Sequence, residues 1–171
     1  MLEEKNAIFI VNASNTRLLL GSGVSMAFKH WCGLKLQKEM IKKVKTITKL
    51  EKGDVVITSS CDADNFNYIL HAVVMDYNRG VRGNDKLPKL ADINSILQNI
   101  QDYIILYSKK NTNLEIKLVL PLLGCGVGGL NKTKVIQIYK NFFEKNIEIT
   151  CNLVIYGYSY GDFLLLKNSF N

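Results

Sequence analysis

Ala7-Ile8-Phe9-Ile10-Val11 leads into Asn12-Ala13-Ser14-Asn15 and then, across residues 16–20, into Gly21-Ser22-Gly23-Val24. The first five residues are apolar with no polar alternation, which reads as a β-strand covered on both faces. The strand is expected to end at Asn12, with a loop from there to Gly23. Beyond it, apolar residues return at helical spacing (Val24, Ala27, Phe28, Trp31, then Leu34, Met40, Ile41, Val44). A helix is therefore expected from Val24 to about Val44, with Gly33 interrupting or re-angling it. A buried strand that opens through glycines onto a helix is the unit of open α/β sheets. Such sheets bind ligands at the carboxyl ends of their strands.

The alternation continues downstream. Asp54 to Thr58 and Tyr68 to Val74 read as strands, and Asn78 to Leu87 as a polar, glycine-rich loop. Pro88 suits the first turn of a helix running to about Ser108. Ile116 to Leu120 is a strand ended by Pro121, Gly124 to Leu130 a loop, and Lys132 to Lys145 an amphipathic helix. Leu153 to Tyr156 is the last strand and Asp162 to Asn168 a short terminal helix. Strands alternating with helices imply parallel pairing, with helices on both faces. No repeat, low-complexity stretch or linker divides the chain, so residues 1–171 are expected to form a single α/β domain.

Composition narrows the functional classes. Hydrophobic residues make up 47% and charged residues 22%, which argues against disorder. No apolar run approaches the ~20 residues that span a bilayer. Acids at Glu3 and Glu4 are foreign to a secretory signal, so a cytoplasmic location away from membranes is expected. Cys32, Cys61, Cys125 and Cys151 are scattered, with no C-x-x-C pair and two histidines in the chain. No metal or cofactor is expected from them. The net charge of +7 would suit a polyanion. The lysines are dispersed, however: Lys35, Lys38, Lys42, Lys43 and Lys45 on one helical stretch, then Lys109-Lys110, Lys132 and Lys134. With no basic run interleaved with aromatics, the charge reads as a solvated face, and nucleic acid as the less favoured partner.

Two loops carry the chemistry: Asn12 to Val24, and Pro121-Leu122-Leu123-Gly124-Cys125-Gly126-Val127-Gly128-Gly129-Leu130. Glycines there let backbone approach an oxygen without a Cβ in the way. The helix that follows offers unpaired N–H groups and partial positive charge. Neither loop has the spacing of a P-loop or a dinucleotide fingerprint. Each alone reads equally well as a tight turn. Together, with two asparagines at the first strand's exit, they suit a diphosphate flanked by sugar hydroxyls.

At these residues the chain resembles a macro domain, the ADP-ribose-binding module. Val11-Asn12-Ala13-Ser14-Asn15 and Gly21-Ser22-Gly23-Val24 match its V-N-A-x-N and G-x-G-V segments at the family's spacing. Gly53 to Thr58 is similar to its G-x-x-x-x-T strand, Ile69-Leu70-His71-Ala72-Val73 to its [IV]-x-H-x-V strand, and Pro121 to Gly129 to its second phosphate loop. Leu153 to Tyr156 looks like the closing strand. The resemblance implies a three-layer α/β/α sandwich with a mostly parallel central sheet. It also implies ADP-ribose, free or on a protein, in a cleft across the strand ends.

Asn12, Ala13 and Asn15 would then line the site, Asn15 bonding the distal ribose. Gly21, Ser22, Gly23 and Val24 would clamp the diphosphate with Leu123, Gly124, Cys125, Gly126, Val127 and Gly128. Tyr156 and Tyr158 would lie towards the adenine; Tyr158, Tyr160 and Phe163 read equally as packing of the last helix. Three departures stand out. The aspartate that recognises adenine in the family falls at or before Met1, so this anchor is either missing or supplied by Glu3, Glu4 or another segment. Ser25 stands where hydrolases of the family carry an aspartate. Gly128 stands where an aromatic or a catalytic aspartate is usual.

For catalysis, Asn15 is the candidate to position a water and Ser25 the candidate beside it. The expected reactions are slow hydrolysis of an ADP-ribosyl ester or of ADP-ribose 1″-phosphate. His71, mid-strand in an apolar run, reads as a buried core histidine rather than a catalytic one. His30 lies a turn or more away. Cys125 reads either as a thiol whose pKa the loop amides lower or as a small packing residue. The alternative function is a basic module for nucleic acid or poly(ADP-ribose) without catalysis. An empty scaffold is a third reading.

Overall fold

Phe9 and Val11 face one side of the sheet and Ile10 the other, and all three are buried. That is why the strand shows no polar alternation. The computed structural model describes residues 1–21, 23–112, 114–145 and 151–170. Five strands form one sheet: β1 (Ala7–Asn15), β2 (Val55–Ser59), β3 (Phe66–Met75), β4 (Ile116–Pro121) and β5 (Cys151–Tyr156). Their spatial order is β2-β3-β1-β4-β5. β1 pairs in parallel with both β3 and β4, and β4 in parallel with β5. The described residues also form four α-helices, α1 (Gly23–Thr46), α2 (Leu90–Lys110), α3 (Lys132–Lys145) and α4 (Tyr160–Phe170), and a short 3-10 turn at Gly83–Lys86.

The expected three-layer arrangement is present. On one face α1 lays Phe28, Cys32, Leu36 and Met40 over Ile10, Ile69, Val73 and Val119. On the other, Ile93, Ile96, Leu97 and Ile100 of α2 and Val135 and Tyr139 of α3 pack on Phe9, Val11, Leu70, Leu118 and Leu120. Among the described residues, no helix is long and apolar enough to cross a membrane.

Besides shifts of one or two residues at several element ends, three features differ from the sequence reading, each for a physical reason. β1 does not stop at Asn12: Asn12 pairs with His71, Ala13 with Ala72 and Ser14 with Val73, and the register slips only before Asn15. Polar side chains continue the strand because each finds a partner or a place at the cleft. β2 runs antiparallel to β3, since residues 60–65 are too few for a crossover. Pro88 lies outside the helix. α2 starts at Leu90, with the Asp92 carboxylate accepting the Lys89 N–H at 2.7 Å, and Pro88 packs instead beside Gly124 and Gly128. Gly33 re-angles α1 as expected: its φ is 70°, and a Cβ there would stand 2.5 Å from the Asp62 carboxylate.

Candidate functional site

The carboxyl ends of β1, β3 and β4 open into one cleft of about 350 Å³. Its β1 wall is Ala13, Ser14 and Asn15; the turn into α1 adds Leu19, Gly21, Gly23, Val24 and Ser25. Val74, Met75 and Tyr77 close the β3 end. Pro121, Leu122, Gly124, Gly126, Val127 and Gly128 form the β4 side. The two glycine loops therefore face each other across a single cavity.

Each loop is braced from beneath. Asn15 staples the first: its Oδ1 accepts the N–H groups of Arg17 (3.1 Å) and Leu19 (3.3 Å), and its Nδ2 donates to Leu19 O (2.9 Å). One amide hydrogen of Nδ2 is left over. Gln37 of α1 holds the next residues, accepting from Leu20 N–H and donating to Leu18 O. The second loop hangs from Tyr139, fully buried, whose hydroxyl accepts the Leu123 N–H (3.0 Å) and donates to Pro121 O (2.8 Å). Cys125 N–H donates to Leu122 O, Gly129 N–H to Gly126 O, and Leu130 N–H to Gly124 O. Gly126, Val127 and Gly128 fall between these bonds, and their N–H groups have no acceptor among the described residues. Opposite them, the first turn of α1 presents the unpaired amides of any helix start. The cleft is an amide-lined slot suited to oxyanions.

Several expected site residues do not reach the cleft. Asn12 is fully buried beneath it: Nδ2 donates to His71 Nδ1 (3.0 Å), and Oδ1 accepts the Ser25 hydroxyl (3.0 Å). Strand alternation turns Asn12 under α1, so it supports the site and cannot touch a ligand. Leu123 is fully buried in the α2–α3 core, because the loop leaves the sheet only after it. Cys125 turns its thiol onto Leu123 O (3.5 Å), and burial pushes that thiol up to about 11; the loop amides do not activate it. Tyr156 points back along the sheet, its hydroxyl donating to the Glu4 carboxylate (2.6 Å). Glu4 is also ion-paired with Lys117, so both its oxygens are engaged away from the cleft. Tyr158 is fully exposed, and Tyr160 stacks on Phe163. Ser22 lies outside the described residues. Ala13, Asn15, Gly21, Gly23, Val24, Ser25, Gly124, Gly126, Val127 and Gly128 all line the cleft.

Ser25 is buried, and its hydroxyl lies 3.0 Å from Asn12 Oδ1 and 2.7 Å from Ala13 O, so its one proton is held by the floor. His71 is bracketed by Asn12 and by Thr58 Oγ (2.9 Å) from β2, and burial lowers its pKa to about 3. None of the described lining residues is a carboxylate, imidazole, lysine or arginine, and no group of three or more potential metal ligands gathers among the described residues.

Sequence reasoning did not name Ser14, Leu19, Val74, Met75, Tyr77, Pro121 or Leu122 as site residues. Ser14 is 2% exposed, and its Oγ has no hydrogen-bond partner among the described residues. Only the strand register past Asn12 could have pointed to it. An unpaired buried hydroxyl costs about 1–3 kcal/mol. Ser14→Ala is therefore expected to raise stability by about 1 kcal/mol, about 2–4 °C in Tm for a chain of this size, in a thermal melt without ligand. A lowered Tm would show that Ser14 has a partner.

A model of the Macro domain family matches residues 11–139, which spans both loops. An uncharacterized protein of Saccharolobus solfataricus is 37% identical over 86 residues, half of this chain and 47% of that protein, so the chain matches about half of that relative's length. Among solved structures, a variant of the Oceanobacillus iheyensis macrodomain with ADPR superposes with a TM-score of 0.76 at 21% identity, covering 98% of this chain and 86% of that one. The Trypanosoma brucei macrodomain in complex with ADP-ribose superposes at 0.71 with 19% identity, covering 96% and 64%. The order of strands, the two facing loops and the family match over three quarters of the sequence agree. The chain belongs to the macro domain family.

Proposed function

We propose that the cleft binds ADP-ribose or a derivative, its diphosphate held between the two loops. One observation carries the reading: the amino-terminus of α1 and the free amides of residues 126–128 converge on one cavity. A helix start and a run of backbone N–H groups together favour an anion with several oxygens. The ADP-ribose in the similar Trypanosoma brucei structure supports the choice of ligand. The spare hydrogen on Asn15 Nδ2 is a donor for a sugar hydroxyl, and Ser14 Oγ is a second polar group waiting at the floor.

The same site favours binding over turnover. Ser25 has no base to take its proton, and Asn15 Oδ1 is filled by two backbone donors. Hydrolysis would rest on a water held by the Asn15 amide alone, which supplies orientation without proton transfer. Titration calorimetry with ADP-ribose should return a Kd well below about 1 mM, weakened by about tenfold in Asn15→Ala through loss of the staple and the donor. Affinity no tighter than about 1 mM ends the assignment. ADP-ribose 1″-phosphate and ADP-ribosylated protein should be turned over equally slowly by wild type and Ser25→Ala; a rate that depends on Ser25 would make the chain an enzyme.

A further inference from the structure

α4 carries an apolar stripe on its outer side. Asp162 turns inward and is buried: its carboxylate accepts from Lys132 Nζ (2.5 Å) and from the Tyr158 and Ser159 N–H groups (2.9 and 3.2 Å). Leu166 is buried one turn on, and Lys140 of α3 donates to Ser169 O (2.8 Å). Residues 162, 166 and 169 thus fix one side of the helix against the domain. The other side follows at spacings of three and four: Tyr160, Phe163, Leu164, Lys167 and Phe170, all exposed. A surface helix ordinarily shows polar residues there. This one is 75% exposed at Tyr160, 53% at Phe163, 40% at Leu164 and 42% at Phe170, with the Tyr160 and Phe163 rings stacked at 6.0 Å. None of these residues lines the cleft.

With Leu165 on its flank, the stripe leaves on the order of 500 Å² of apolar surface open. Two such faces together give about 1,000 Å², the least that a specific interface buries, before any polar rim is added. The stripe is also nearly free of charge. Asp162 is spent on Lys132, so Lys167 is the lone ionic group in it. In a chain of net charge +7, this is a side on which two copies approach with little repulsion. We infer that α4 is the contact through which two copies of this chain pair, antiparallel about a two-fold axis near residue 165. The stripe is complementary to itself in that sense. Tyr160 meets the partner's Phe170, Phe163 lies under the partner's Lys167, and the two Leu164 side chains meet at the centre. A parallel pairing would set Lys167 against Lys167 and align the helix dipoles. The antiparallel one places each ammonium over a ring and opposes the dipoles. Nothing in the contact depends on what occupies the cleft.

Sedimentation equilibrium of the full chain tests this. Wild type should pair with a Kd on the order of 1–100 µM, and so be mostly dimer at about 300 µM. Leu164→Glu and Leu164→Lys each place two like charges at the axis and should weaken pairing by at least about tenfold. Mixed in equal amounts, the two variants should recover pairing to within about threefold of wild type, because opposite charges then meet across the axis. Leu106→Glu, at another exposed apolar position on α2, should pair as wild type does. Melting curves of all variants should match wild type, since these side chains are exposed. Should a charged variant melt early, Leu164→Gln at the same position should still weaken pairing by about fivefold. Wild type that stays a single chain at about 300 µM, Leu164→Glu that pairs as wild type does, or a mixture that stays dissociated would overturn the inference.

Discussion

Gly128→Ala should weaken ADP-ribose binding by about 10- to 100-fold while the chain remains folded. A methyl at that position would stand 2.6 Å from both Gly124 O and Pro88 Cγ, and 2.9 Å from Pro88 Cδ. A carbonyl oxygen and a buried proline ring are not flexible side-chain ends that swing aside. The loop must back away instead, carrying the amides of residues 126–128 from the phosphates. Overpacking of this kind strains a structure by about 1–3 kcal/mol, and here the strain falls on the binding geometry. Adding Pro88→Gly should restore part of the affinity. Gly161→Ala is a suitable control, because its nearest contact is an ordinary 3.6 Å in α4. Calorimetry beside a melting curve reads both effects, and an unaltered Kd in folded Gly128→Ala would mean that this loop does not hold the ligand.

Acidification from pH 7 to 5 should destabilise the protein by about 2 kcal/mol through His71 alone. Nδ1 accepts from Asn12, Nε2–H donates to Thr58, and the Thr58 hydroxyl donates onward to Ser59 O, so the neutral ring is fully satisfied. Burial lowers the folded pKa from 6.5 to about 3. The unfolded chain takes up this proton below 6.5 and the folded chain does not. The contribution is therefore complete above pH 6.5 and drains away towards pH 3, by about 1.4 kcal/mol per unit. Glu4 and Asp162 have pKa values held below the usual carboxylate range, each chiefly by a lysine, Lys117 and Lys132. Their loss begins lower, but burial also lowers the pKa of the Met1 amino group, so the histidine's share is read by comparison with a His71 variant. Urea denaturation at the two pH values reads the difference. His71→Gln should be less stable at pH 7 by about 1–3 kcal/mol and should lose most of the pH slope. An equal slope in the variant would assign the acid sensitivity elsewhere.

The α/β class, the helix limits of α3 and the two glycine loops were legible from local pattern alone. Apolar runs, helical spacing and glycines are properties of neighbours in the chain. The limit of β1 was not legible. Asn12 and Ser14 look like loop residues until His71, 59 positions later, supplies the partner that lets an asparagine sit inside a sheet. For the same reason Asn12 read as a ligand residue when it is a buried brace.

By itself the sequence determined which strands are buried, where glycine frees the backbone, and the family, since each depends on residue type and short spacing. Tertiary structure alone decided which polar groups are spent on each other and which are left for a ligand. Hydrogen-bond satisfaction is settled between segments that meet only when the sheet closes.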